Sequence, residues 1–185
     1  SLNYGFPLPS IYEAFNARVE SNFQNWWKDK LEEKEIDINI EFLSNTIYFA
    51  RLATMVQGLL FIEHISSTEN LEINLKEVLQ NWSAGCIIRS DLLKELGGVN
   101  LSNTITSSGF VQNTLLENLD SVKNVIKTCI DGSVSIPVIT SSYNWFVGTS
   151  NSFNPSSLIQ AQRDYFGAHQ VQLNNSDEFI HLDWD

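Results

Sequence analysis

Between residues 43 and 65 the chain is apolar nearly all round, and this stretch limits the fold more than any other. A helix of that length without a polar face has to lie in the middle of a bundle, covered on every side. It does not suit a bilayer, because its most apolar part, 47–62, is short and carries Arg51 and Gln57. Arg51 is the oddity. Thr54 and Gly58 follow it at i+3 and i+7, so one narrow stripe of the helix is polar and small. A guanidinium in a core is costly unless it meets an anion. Two partners are open: a bound anionic ligand, or a local Glu or Asp.

Around this helix the pattern predicts further helices and an all-α fold. Ser10 with Glu13 reads as a capping box opening a helix over about 10–30, with Ile11, Phe15, Val19, Phe23 and Trp26 or Trp27 on one core-facing side. Residues 31–39 are charged and solvated. Helices are expected over about 71–81, 83–96, 102–119 and 121–129, with Gly97-Gly98 and Asp131-Gly132 as stops. An extended segment, 135–140, echoes 5–10 in carrying a proline before a helix and leads into 141–146, where Trp145 and Phe146 belong to the core. No glycine-rich dinucleotide turn, P-loop or zinc-binding helix motif is found. The organisation expected is one helical domain over 1–169 and a tail over 170–185. The tail ends in Phe179-Ile180-His181-Leu182-Asp183-Trp184, has no core of its own, and has to dock on this subunit or a partner.

Charge narrows the partners. A net charge of −11 and a pI near 4.6 exclude nucleic acid and anionic membrane surfaces as natural partners. An anionic ligand must then be held by a local cluster of basic groups. There are four arginines, Arg18, Arg51, Arg89 and Arg163, against seven lysines, and the planar arginine fork is the side chain suited to bidentate contact with carboxylate or phosphate. Cys86 and Cys129 lie far apart in apolar surroundings and read as small buried hydrophobes, with no metal or disulfide role. The N-terminal residues lack a charged-then-apolar leader pattern, which makes a cytoplasmic protein the expectation.

The basic cluster is sharpest near the C-terminus. Asn154 is positioned as an N-cap and Pro155 as the first residue of a helix that carries Arg163 and Gly167 on one face, four residues apart, with His169 just past its end. Arginine, a glycine that leaves room, and histidine make an anion-sized site; a surface helix with an incidental Arg and His is the other reading. Gly85 stands four before Arg89 and repeats the pairing, either for close ligand approach or for tight helix packing.

Two blocks carry a resemblance. Ala161-Gln162-Arg163-Asp164-Tyr165-Phe166-Gly167-Ala168-His169 resembles the C-terminal signature of 6-phosphogluconate dehydrogenases, and Gly85-Cys86-Ile87-Ile88-Arg89-Ser90 resembles another signature of that family. The similarity runs from about Pro7 to about Trp184. It implies a helical domain with a duplicated half, the dimer interface, and a tail that reaches the neighbouring subunit. It implies no metal, and NADP bound by an N-terminal Rossmann domain that this sequence lacks, together with the catalytic lysine and glutamate. The activity implied is oxidative decarboxylation of 6-phosphogluconate to ribulose 5-phosphate, with this chain alone inactive.

By the same resemblance Arg89 matches a substrate-phosphate arginine, and Arg163 and His169 match a pair entering the other subunit's active site. Arg51 stands where a phosphate-contacting lysine is common, and Glu13–Arg18 resembles a structural helix motif. The chain departs from the family pattern at Trp82-Ser83-Ala84-Gly85, where Trp-Arg-Gly-Gly is usual, and in its tail, which lacks the usual Thr-Asn before Trp184. These departures leave two alternatives open: a non-catalytic dimerisation or ligand-binding module, or a relative acting on another hydroxy acid.

Overall fold

The computed structural model describes residues 2–23, 25–28, 30–31, 34–85, 90–99, 105–151, 155–173 and 176–184. Its helices are α1 (Pro9–Glu20), α2 (Ile40–Thr68), α3 (Leu75–Gly85), α4 (Asp91–Gly98), α5 (Gly109–Asp131), α6 (Pro137–Ser150) and α7 (Ser156–Gly167). Two short antiparallel strands, β1 (Val171–Gln172) and β2 (Phe179–Ile180), pair in the tail, with Val171 opposite Ile180. The all-α expectation holds. The chain divides into two compact units, Ser1–Phe146 and Val147–Asp185.

In the first unit α2 is the central helix, as its apolar composition requires. It starts cleanly because the Asn39 side chain accepts from the N–H groups of Glu41 and Phe42. It packs chiefly along α5, and also on α1 and α3. Phe49, Leu52, Ala53, Val56 and Leu59 are buried along it and meet Leu79, the α4 leucines, and Val111, Leu115 and Val122 of α5. Phe146 closes this core edge-on against Phe49, with ring centroids 5.7 Å apart. Cys129 is buried at the end of α5, and burial pushes its thiol up; Cys86 lies outside the described residues.

One buried polar cluster ties three helices together inside this apolar unit. Gln57 is fully buried; its Oε1 accepts from the Ser10 N–H at 3.1 Å and its Nε2 donates to Ser10 Oγ at 2.8 Å. Ser10 Oγ in turn lies 2.9 Å from Ser142 Oγ on α6. Polar atoms so buried are in the large majority paired in this way. Ser10 is therefore a core residue and not the N-cap expected: Pro9 begins α1 and Leu8 occupies the cap position without a side-chain bond.

Several expected boundaries move. α1 ends at Glu20, and its apolar side faces solvent: Phe15 is 65% exposed, and Trp27 in the following turn 76%. Only the first turn of α1 is fastened, through buried Leu8 and Ser10. α3 runs without interruption through residue 82, where a break between two helices is expected. The two helices expected over 102–129 are one, α5, preceded by a 3-10 turn at Ile105–Ser107. Ser121, the expected first residue of the second, is buried mid-helix and accepts from Asn45 Nδ2 at 3.3 Å. Pro137 is the first residue of α6 and not part of an extended lead-in. Gly132 does end α5, and a Cβ there would meet the Ile36 γ-methyl, so any larger residue requires Ile36 to shift.

Candidate functional site

In the second unit the cationic cluster is built on the end of α7. The helix stops at Gly167 because Ala168 turns into the left-handed region, φ 50° and ψ 40°, with its N–H bonded to the Asp164 carbonyl at 2.8 Å. Gln170 is left-handed too, at φ 64°. His169 thus sits between two non-glycine residues in a conformation that costs about 1–2 kcal/mol each. Its ring lies over Gly167: a Cβ on that glycine would come within 2.9 Å of His169 Cδ2 and Nε2. The space beside Gly167 is occupied by the His169 ring.

Arg163 is exposed one turn before Gly167. Its Nη1 donates to Gln160 Oε1 at 3.2 Å, and Gln160 Nε2 donates to the Gln170 carbonyl at 2.6 Å. The remaining guanidinium N–H groups have no partner among the described residues. Ile159 and Phe166, four before and three after Arg163, are 61% and 75% exposed, so the arginine lies within an apolar stripe. Asn154, the expected N-cap, is outside the described residues, and Pro155 takes the cap position without a side-chain bond.

What holds this end of the molecule is Asp164, whose side chain is fully buried. Its Oδ1 accepts from the Gln170 N–H at 2.6 Å and contacts His181 Nδ1 at 3.0 Å; its Oδ2 accepts from the Leu182 N–H at 2.9 Å and Trp184 Nε1 at 3.1 Å. Burial by itself would push the carboxyl up, but these four contacts outweigh it and hold it well below the usual carboxylate range. An ionised carboxylate only accepts, so the contact with His181 requires the proton on Nδ1. Trp184 also stacks edge-on against Tyr165, centroids 5.5 Å apart. The tail therefore has a local seat on α7. Of the two places open to it, this subunit or a partner, the described tail residues take the first.

Arg51 lies in the first unit, and it is not a core residue. It is exposed and forms no ion pair among the described residues. The reason is that α2 is left uncovered along the stripe the sequence singled out. Arg51, Thr54 and Gly58 line an open groove of about 570 Å³ with Ile47, Trp82 and Ile139. Among the described residues of that lining Arg51 is the only charged one, and the rest is largely apolar. One turn before it, Tyr48 donates to Glu95 at 2.5 Å; burial and this bond push the phenol up to about 12, with Arg51 pulling the other way.

Arg89 lies outside the described residues, so the structure says nothing of its place. His169 is brought over Gly167 at the end of α7, Arg163 lies one turn earlier and bonds to Gln160, and Arg51 belongs to the other unit. Asp164 and Gln160 were not anticipated, although both lie in or beside the signature block. Their partners are 6 to 20 residues on, or in a turn, and leave no periodic trace. Among the described residues no group of three or more His, Cys, Asp or Glu is placed to hold a metal ion. The only strands among them are two antiparallel pairs of residues, so these residues offer no βαβ site for a dinucleotide such as NADP. No described helix is long and apolar enough to cross a membrane.

In structural terms this is an all-helical domain with a cationic cluster at the end of its last helix. The family model described as 6-phosphogluconate dehydrogenase, C-terminal domain, matches residues 1–184, and the chain belongs to that family. It is 28% identical to the decarboxylating 6-phosphogluconate dehydrogenase of Synechocystis, over 99% of this chain and 41% of that protein. The Lactococcus lactis enzyme is 27% identical over 100% of this chain and 42% of its own length, and the mouse enzyme 28% over 100% and 41%. The fold matches Plasmodium falciparum 6-phosphogluconate dehydrogenase with a TM-score of 0.77 and 25% identity, over 99% of this chain and 42% of that one. That enzyme is described in its apo form, with its cofactor NADP+ and with its substrate 6-phosphogluconate. The chain spans about two-fifths of the length of the curated relatives it matches.

Proposed function

We propose that this chain acts as the C-terminal helical part of an NADP-dependent, decarboxylating 6-phosphogluconate dehydrogenase in the cytoplasm, where it binds the substrate phosphate and makes dimer contacts. Arg51 and Arg89 of one subunit, with Arg163 and His169 of its neighbour, form the clamp. The observation that carries this reading is the end of α7, where Arg163 keeps free guanidinium N–H groups beside His169 on a turn fixed from below. Charge-assisted bonds to a phosphate contribute about 1.5–3 kcal/mol each. They bind and orient the sugar acid, and remote binding of this kind lowers the barrier by positioning the reacting end. NADP supplies the hydride acceptor in the whole enzyme. This chain's residues hold and orient the substrate, and none of them is assigned a catalytic role.

The exposed stripe of Ile159 and Phe166 around Arg163 supports a dimer in which the α7 end enters the partner's site. Because the tail is fastened to α7, helix and tail would enter as one piece. In the full-length enzyme, Arg163→Ala and His169→Ala are expected to raise KM for 6-phosphogluconate by about tenfold or more, the loss of one charge-assisted bond. Wild-type KM in both variants contradicts the clamp. The isolated chain is expected to show no NADP-dependent turnover, and robust turnover contradicts the assignment of the chemistry elsewhere.

A further inference from the structure

We infer that Asp164 is the positioning residue of the clamp: one buried carboxylate fixes the turn carrying His169, the tether on Arg163 and the seat of the tail. The inference rests on the clamp reading above and adds how that site is held.

Three connections lead out from Asp164, two to the turn carrying His169 and to Arg163, and one to the tail. Its backbone carbonyl accepts from Ala168 and its Oδ1 from Gln170, the two left-handed residues on either side of His169. No glycine eases either position, so the bonds from Asp164 are what keep the turn in that shape. The second connection passes through Gln170 itself. With its N–H on Asp164, its carbonyl points at Gln160 Nε2, and Gln160 Oε1 receives Arg163 Nη1. The guanidinium is thereby tethered to the same turn that carries the histidine. Third, Oδ2 gathers Leu182 N–H and Trp184 Nε1, which brings the tail against Tyr165 and covers the carboxylate from water.

Asparagine in place of Asp164 keeps size and shape but offers one acceptor oxygen instead of two, so either the turn or the tail loses its partner. A displacement near 1 Å at a binding group is worth up to about a hundredfold, so the site responds well before the fold does.

The test uses the full-length enzyme and separates KM for 6-phosphogluconate from KM for NADP. Asp164→Asn is expected to raise the former by about tenfold or more and leave the latter unchanged. A merely structural role would lower the yield or melting temperature and leave both KM values of the folded enzyme alone, which overturns the inference. Should Asp164→Asn fail to fold, Gln160→Ala decides, since it leaves the carboxylate and its four contacts in place and cuts only the tether. It is expected to raise KM for 6-phosphogluconate about three- to tenfold, the loss of one hydrogen bond; an unchanged KM overturns the inference. Arg163→Ala separates the two claims. If it raises KM while Asp164→Asn and Gln160→Ala do not, the positioning role alone is wrong; if it too leaves KM unchanged, the clamp itself is wrong.

Discussion

The α2–α5 core and the α7–tail unit are held by opposite means. In the first, apolar side chains from four helices share the burial, so each contact is one of many. In the second, four donors from the turn and the tail converge on one carboxylate. A packed core degrades in proportion to the volume removed. A hub of hydrogen bonds fails when one group changes, and the group it depends on is titratable. The second arrangement suits a segment that has to fix a turn and a tail without a core of its own size.

The comparison can be broken first at the core. Phe49 is fully buried and carries Phe146, so Phe49→Ala is expected to cost about 3–5 kcal/mol of stability. Chemical denaturation of the chain measures this. Amide exchange at Gln170 and Leu182 should keep its wild-type protection under native conditions; loss of that protection would mean that the two regions are not held independently.

Acid should act in the opposite sense. The Asp164 carboxyl is held below its ordinary value, so its contribution is present above the usual Asp range near 3.9 and is lost as pH falls below that range through the lowered value. Protection at Gln170 and Leu182 should therefore persist at pH 4 and fall in stronger acid, while Asp164→Asn shows weak protection at every pH. A tail released between pH 5 and 6 would contradict a carboxylate hub.

The smallest effect is expected at Gly167. A methyl group there meets the His169 ring, which can swing aside because it is the free end of a side chain. Gly167→Ala should leave stability level or raise it by up to about 1 kcal/mol, while raising KM for the sugar phosphate a few-fold. A wild-type KM would place His169 outside the clamp.

Much of this was legible because it is local or periodic. The centrality of α2 follows from an apolar surface all round, and the sharing of one helix face by Arg163 and Gly167 from helical spacing. What sequence misjudged depended on tertiary partners. Arg51 stands in a greasy helix, yet α2 is uncovered along that one stripe, so the guanidinium faces solvent. Asp120-Ser121 has the chemistry of a break, but Asn45 on α2 supplies Ser121 with a bond inside the helix, and α5 runs through. Ser10 looks like a cap and is a core residue because Gln57, 47 positions away, fills both its needs. Asp164 is the extreme case: in the sequence it is an ordinary helix acid, and its role exists only once the tail has folded back.

The central claim is that the α7 end binds phosphate. Titration calorimetry of full-length wild type and Arg163→Ala with 6-phosphogluconate and with gluconate tests it most directly. The account predicts that wild type prefers the phosphorylated ligand and that Arg163→Ala weakens its binding by about tenfold or more, with gluconate affinity unchanged. Equal binding of 6-phosphogluconate by both proteins would contradict it.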